Sequence, residues 1–164
     1  MLICKTQEID IDTVVSIEAD TENSQFILPN SKEEHLHLIT DSDIEHLILK
    51  SENNITIGFV ILAGLQNNNR SIEFRRIVIN SKGRGYGRMA IKELKQYCFK
   101  KLDCHRLWLD VFETNKRARY LYQSEGFKEE GILRDSICVN GEFKNLIIMS
   151  MLENEYINTT TNKI

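Results

Sequence analysis

The order of apolar and polar positions along the chain predicts a regular succession of short elements. Residues 2–6 read as a strand, and residues 10–20 place Ile11, Val14 and Ile17 on one side at helical spacing. A second helix is predicted over 31–39, opened by Ser31 with Glu34 three positions later, the arrangement in which side chain and backbone cap each other. Three strand-like runs follow, at about 45–50, 55–65 and 71–80. Asn53-Asn54 and the stretch Gln66-Asn67-Asn68-Asn69 mark the turns between them, so an antiparallel meander is expected.

After Gly87 the period changes. Tyr86, Ala90, Leu94, Tyr97 and Cys98 fall on one stripe, with Lys92, Glu93, Lys95 and Gln96 elsewhere, which predicts an amphipathic helix of about four turns. Residues 106–112 form the next strand, and a helix runs from about Asn115 to Glu125 and stops at Gly126. A strand over 127–133 and a hairpin of 136–139 with 142–152, turning at Asn140-Gly141, complete the pattern. The elements predict an α/β fold with a central mixed sheet and helices on both faces, as one domain over 1–153 with a polar tail over 154–164.

Composition narrows the class. With 41% hydrophobic and 27% charged residues, the chain is that of a globular protein and not a disordered one. No apolar run reaches bilayer length and the first residues are too short a stretch for a secretory signal, so no membrane partner and a cytoplasmic location are expected. Cys4, Cys98, Cys104 and Cys138 show no paired or metal-binding spacing and are expected as buried free thiols. His35 and His37, two apart on a helix, diverge and read as surface histidines; His46 and His105 have no partner at ligand spacing, so no metal is expected.

The net charge of −3 argues against nucleic-acid binding, yet the charge is unevenly spread. From Glu8 to Glu52 twelve acids face only Lys32 and Lys50, whereas from Arg70 to Arg119 fourteen Lys or Arg face five Asp or Glu. A cationic ligand suits the first segment and a polyanion the second. Within the second, Lys82-Gly83-Arg84-Gly85-Tyr86-Gly87-Arg88 lies between an apolar strand and an amphipathic helix. Closely spaced glycines there let backbone N–H groups converge on an anion at the positive end of the helix. The spacing is neither the dinucleotide fingerprint nor the Gly-Lys-Ser/Thr of nucleoside-triphosphate loops.

Two motifs then resemble the GNAT superfamily of N-acetyltransferases, in particular its polyamine-type and ribosomal-protein-type branches. The first is Ile77-Val78-Ile79 followed by Lys82-Gly83-Arg84-Gly85-Tyr86-Gly87, in which lysine replaces the usual first Gln or Arg. The second is Asn115, Ala118, Leu121, Tyr122, Gly126 and Phe127, matching Asn-x-x-Ala-x-x-Leu-Tyr-x-x-x-Gly-Phe. The resemblance covers about residues 56–152. It implies transfer of an acetyl group from acetyl-CoA to a primary amine by direct attack, with a cofactor arm entering between the glycine-turn strand and the next. It further implies that Ile77, Val78 and Ile79 hold the pantetheine, that Lys82, Gly83, Arg84, Gly85, Tyr86, Gly87 and Arg88 hold the pyrophosphate, that Asn115 and Arg119 support the cofactor, and that Tyr122 is the acid.

Amide formation needs a neutral amine, an oxyanion donor and a proton for the thiolate. Asn115 and Tyr122, about two helical turns apart, can face one cleft. Glu73 is the candidate base with Asp110 as rival, and either can instead pair with Arg75, Arg76 or Arg106. The acidic N-terminal segment predicts a cationic acceptor: a polyamine, a peptide N-terminus or an amino-sugar. The partners expected are acetyl-CoA and this amine, on a monomer or homodimer. A non-catalytic acyl-CoA sensor or scaffold, or a generic nucleotide-binding module, uses the same glycine turn without turnover.

Overall fold

Alternation of apolar residues with turn-forming asparagines produces seven strands, in the spatial order β1-β2-β3-β4-β5-β7-β6. They are β1 (Leu2–Lys5), β2 (Ile44–Lys50), β3 (Thr56–Ala63), β4 (Ser71–Ile79), β5 (Arg106–Phe112), β6 (Lys128–Val139) and β7 (Glu142–Leu152). The helices are α1 (Ile11–Ala19), α2 (Thr21–Ser24), α3 (Lys32–Leu38), α4 (Tyr86–Gln96), α5 (Lys116–Ser124) and α6 (Glu153–Thr161). The structure, a computed structural model, describes residues 1–80 and 83–161. Pairing is antiparallel for β1 with β2, β2 with β3, β5 with β7 and β6 with β7, and parallel for β4 with β5, so the sheet is mixed and mostly antiparallel.

The chain forms two compact units. The first comprises Met1–Gln66 and Phe74–Ala90. Its core joins Val14 and Ile17 of α1 to Ile44, Phe59, Ile61, Ala63 and Val78, with Ile27 and Leu38 packed against the cluster. β3 is buried on both faces, which explains its unbroken apolar run. Ser31 caps α3 as expected: its hydroxyl accepts from the Glu34 amide while the Glu34 carboxylate accepts from the Ser31 amide. The one-turn helix α2 had no apolar stripe to announce it; the Asp20 carboxylate accepts from the Glu22 amide and starts it.

The second unit comprises Asn67–Glu73 and the chain from Ile91 onward. Here β4 and β5 pair over Ser71–Glu73 against Arg106–Trp108. The helical segment after the glycine turn ends in a π-helical turn, Tyr97–Lys101, closed by the Leu102 amide on the Tyr97 carbonyl. Its inward residues Leu94 and Cys98, and Ile91, Lys95 and Phe99, recur every four positions. A spacing of four overshoots an α-helical turn by roughly 40° per step, and the wider i→i+5 turn returns the stripe to the core.

Three local expectations are corrected. The strand over 127–133 and the first hairpin arm are one strand, β6, whose register against β7 shifts between Leu133 and Ile137. Asp135 takes a positive φ there, and its amide donates to the Asn145 side chain. Residues 154–161 of the expected polar tail are helical in α6, whose Tyr156 is buried and stacks on Phe99. Cys98 and Cys104 are buried free thiols, but Cys4 and Cys138 are exposed. The Asn140-Gly141 turn is as expected, with both residues at positive φ between Val139 and its partner Glu142.

Candidate active site

The residues singled out in the sequence fall into two groups, one in each unit. In the first unit the chain leaves β4 and enters α4 through the glycine turn. Gly83 and Gly85 have φ of 81° and 78°, conformations that a side chain disfavours. Among the described residues, no atom beyond the chain neighbours lies within 4 Å of a Cβ built on either, so these glycines face open space and not the core. The Met89 amide donates to the Gly85 carbonyl, closing the first turn of α4. Met89 is thus the first donor of the α4 ladder, and the N-terminal end of the helix, the positive end of its dipole, adjoins the turn. Arg84 and Arg88 are exposed, and Lys82 lies outside the described residues. A turn with a helix N-terminus, two exposed arginines and no Cβ at Gly83 or Gly85 has the chemistry to receive an anion such as a diphosphate.

The strand that feeds this turn is held closely from one side. A Cβ on Gly58 of β3 would lie 2.2 Å from the Val78 carbonyl oxygen, so only glycine permits that approach. The Asn80 amide also donates to the Ile57 carbonyl at 2.8 Å. The main chain of Ile77, Val78 and Ile79 is thereby fixed against β3.

In the second unit Asn115 caps α5, its side-chain oxygen accepting from the Ala118 amide at 3.2 Å. One turn later Arg119 donates from Nε and Nη2 to Glu129 and from Nη1 to the Glu113 carbonyl. Tyr122 is buried, edge-on to Phe127 at 5.7 Å between ring centroids. Burial, reinforced by the negative charge of Asp110, pushes its phenol well above the usual tyrosine range, so the ring keeps its proton throughout neutral and mildly alkaline pH. Desolvation also raises the carboxyl of Asp110. Glu73 stands on β4 opposite Trp108 of β5. The end of α5 is pinned by Lys95, whose Nζ donates to the Glu125 carbonyl at 2.6 Å and to its carboxylate at 3.1 Å. The sequence places Lys95 off the apolar stripe of its helix; it is buried because its four-residue spacing from Ile91 and Phe99 places it on the inward stripe.

His35 is likewise not a surface residue but fully buried, as is Glu18. The signal for both is spacing. His35 precedes Leu38 and Ile39 by three and four residues, and Glu18 follows Val14 by four and Ile17 by one, so each lies on the inward stripe of its helix. His46 is buried beside them. No cluster of three or more His, Cys, Asp or Glu among the described residues is arranged to hold a metal ion. No helix among them is long and apolar enough to cross a membrane.

A glycine turn that opens a helix at the end of an apolar strand suits a polyanionic coenzyme of the acyl-CoA class. The profile of the Acetyltransferase (GNAT) family matches residues 12–127, and the chain belongs to that family. It is an N-acetyltransferase, with acetyl-CoA as its acyl donor and an amine as acceptor. The chain is 30% identical over 125 residues to a spermidine N(1)-acetyltransferase of Vibrio cholerae serotype O1, covering 76% of this chain and 70% of the relative. It is 31% identical over 101 residues to a spermidine N(1)-acetyltransferase of Escherichia coli K12, covering 61% and 54%. Among solved structures, the spermidine N-acetyltransferase from Vibrio cholerae in complex with CoA and spermine superposes with a TM-score of 0.86 at 25% identity, covering 95% of this chain and 97% of that one.

Proposed function

We propose that this enzyme acetylates a cationic polyamine by direct attack of the amine on the thioester, without an acyl-enzyme. The open, positive-φ glycine turn at the start of α4 carries the donor half of this reading. The main chain of Ile77, Val78 and Ile79 holds the pantetheine, residues 82–88 grip the diphosphate, and Asn115 and Arg119 shape the helix beside the acyl arm. Glu73 takes the ammonium proton through water, and the freed amine nitrogen bonds to the acyl carbon. As the carbon–sulfur bond breaks, Tyr122 donates its proton to the departing thiolate and regains one, through water, from the tetrahedral nitrogen, which leaves as the neutral amide. The raised pKa of Tyr122 keeps it in the donor form this step requires. Asp110 is the rival base, since a carboxyl raised by desolvation holds a proton nearer neutral pH.

The acceptor half rests on the acidic N-terminal segment and on the relatives that act on spermidine. Glu33 and Glu34 are exposed in the first turn of α3, where they offer charge to a polycation. Replacing both with Gln should raise the KM for spermidine several-fold, about 3- to 10-fold, while that for acetyl-CoA stays put. An unchanged spermidine KM removes these carboxylates from acceptor binding.

A further inference from the structure

A continuous chain of buried polar side chains crosses the first unit. The Thr6 hydroxyl meets His46 Nδ1 at 2.9 Å, His46 Nε2 meets His35 Nδ1 at 3.1 Å, and His35 Nε2 meets Glu18 Oε2 at 3.1 Å. Arg76 Nη1 donates to the other carboxylate oxygen of Glu18. Phe59 clamps both imidazoles, stacked on His46 and edge-on to His35. The contacts thus run from the Thr6 hydroxyl through His46 and His35 to the Glu18 carboxylate, with the donor at each ring nitrogen set by the tautomer.

Burial alone would raise the Glu18 carboxyl, but the His35 hydrogen bond and the charge and hydrogen bond of Arg76 outweigh it and hold the group below its usual range. Glu18 thus carries a full charge in the interior, neutralised by Arg76. Such a pair is seldom a source of net stability, because desolvation consumes most of the Coulombic gain. What it does supply is position.

Two main-chain atoms end on this network. The Asn30 amide donates to Glu18 Oε2 at 2.9 Å, and Arg76 Nη2 donates to the Leu28 carbonyl at 2.7 Å. These bonds flank Pro29 and fasten the irregular segment between α2 and α3, which has no helix or strand ladder to hold it. Arg76 immediately precedes Ile77–Ile79. The network therefore ties the segment within the acidic N-terminal stretch to the strand that leads into the glycine turn, across a rigid side-chain brace.

We infer that Glu18 is a positioning residue for the acceptor: buttressed by His35, His46 and Thr6, it locks Arg76 and the Leu28–Asn30 segment into the wall against which the amine lies. This rests on the reading that the acidic segment receives the amine. The brace touches no reacting atom, and β3 holds Ile77–Ile79 independently through Ile57 and Gly58. Loss of the brace should therefore loosen the acceptor and spare the donor.

The test is steady-state kinetics of Glu18→Gln and His35→Gln, varying acetyl-CoA and, separately, the best acceptor of an amine panel, with thermal unfolding followed for each variant. The expected result for Glu18→Gln is a rise of about 10-fold in amine KM, with the acetyl-CoA KM within about 2-fold of the parent, and a smaller amine effect in His35→Gln. An amine KM unchanged in a folded Glu18→Gln enzyme, or equal rises for both substrates, overturns the inference. Should Glu18→Gln fail to fold, amide exchange in the unaltered enzyme decides: the Asn30 amide is expected to be protected and to slow further with amine bound, and exchange indifferent to the amine contradicts the brace. Failure of the acceptor reading looks different, as an unaltered enzyme that prefers neutral amines.

Discussion

At the scale of single residues, His46 shows how burial sets a titration and hence a stability. Burial, then the neighbouring His35 and Arg76, pull its pKa down from 6.5 to about 4 against the opposing pull of Glu18. A histidine whose folded pKa is depressed binds protons more readily when unfolded, so its contribution is fully present above pH 6.5 and is lost as pH falls toward 4. The loss should reach about 2 kcal/mol by pH 5 and about 3 kcal/mol below pH 4. Urea unfolding between pH 7.5 and 4.5 checks this, with His46→Gln as reference. The unaltered protein should lose more stability than the variant across that range, and parallel profiles would remove His46 from the account. Cys104 illustrates the same physics without a role: burial pushes its thiol up to about 12, which makes it an inert packing residue.

At the scale of elements, α5 unites the second motif into a working part. Asn115 starts the helix, Arg119 ties it to Glu129, Lys95 pins its end, and Gly126, at positive φ, lets the chain turn away. Tyr122 is held between those fixed points. Tyr122→Phe should lower kcat by about 10²-fold or less while leaving coenzyme A affinity unchanged, as read by single-turnover rates and calorimetry. Unaltered kcat would show that the thiolate leaves without this proton. Most of this framework was legible in the sequence because it depends on local rules: the Ser31 cap, the Asn140-Gly141 turn, the glycines before α4 and the stripe of α1 each announce themselves within a few residues. What was not legible depends on partners distant in the chain. Glu18, His35, His46 and Arg76 meet only after folding, across up to 58 positions, and Lys95 finds Glu125 30 positions away. A charged residue on an apolar stripe was the only hint, and it does not say which partner compensates it. The bulge in β6 was hidden for the same reason, since it is Asn145 on the neighbouring strand that receives the Asp135 amide.

At the scale of the whole molecule, the uneven charge takes on meaning once the family is known. A chain with a net charge of −3 concentrates its acids before residue 53 and its bases between 70 and 119, the latter stretch containing the glycine turn. On the proposed function, opposite charges serve opposite substrates: a polyanionic coenzyme and a polycationic amine. The measurement that tests the central claim most directly is thiol release from acetyl-CoA across polyamines, basic peptides, amino-sugars and neutral amines at matched ionic strength. The account predicts acetyl-CoA-dependent turnover that is fastest, at limiting acceptor, with spermidine or spermine and that falls as salt rises. Equal or faster turnover of neutral amines, indifferent to salt, would contradict it.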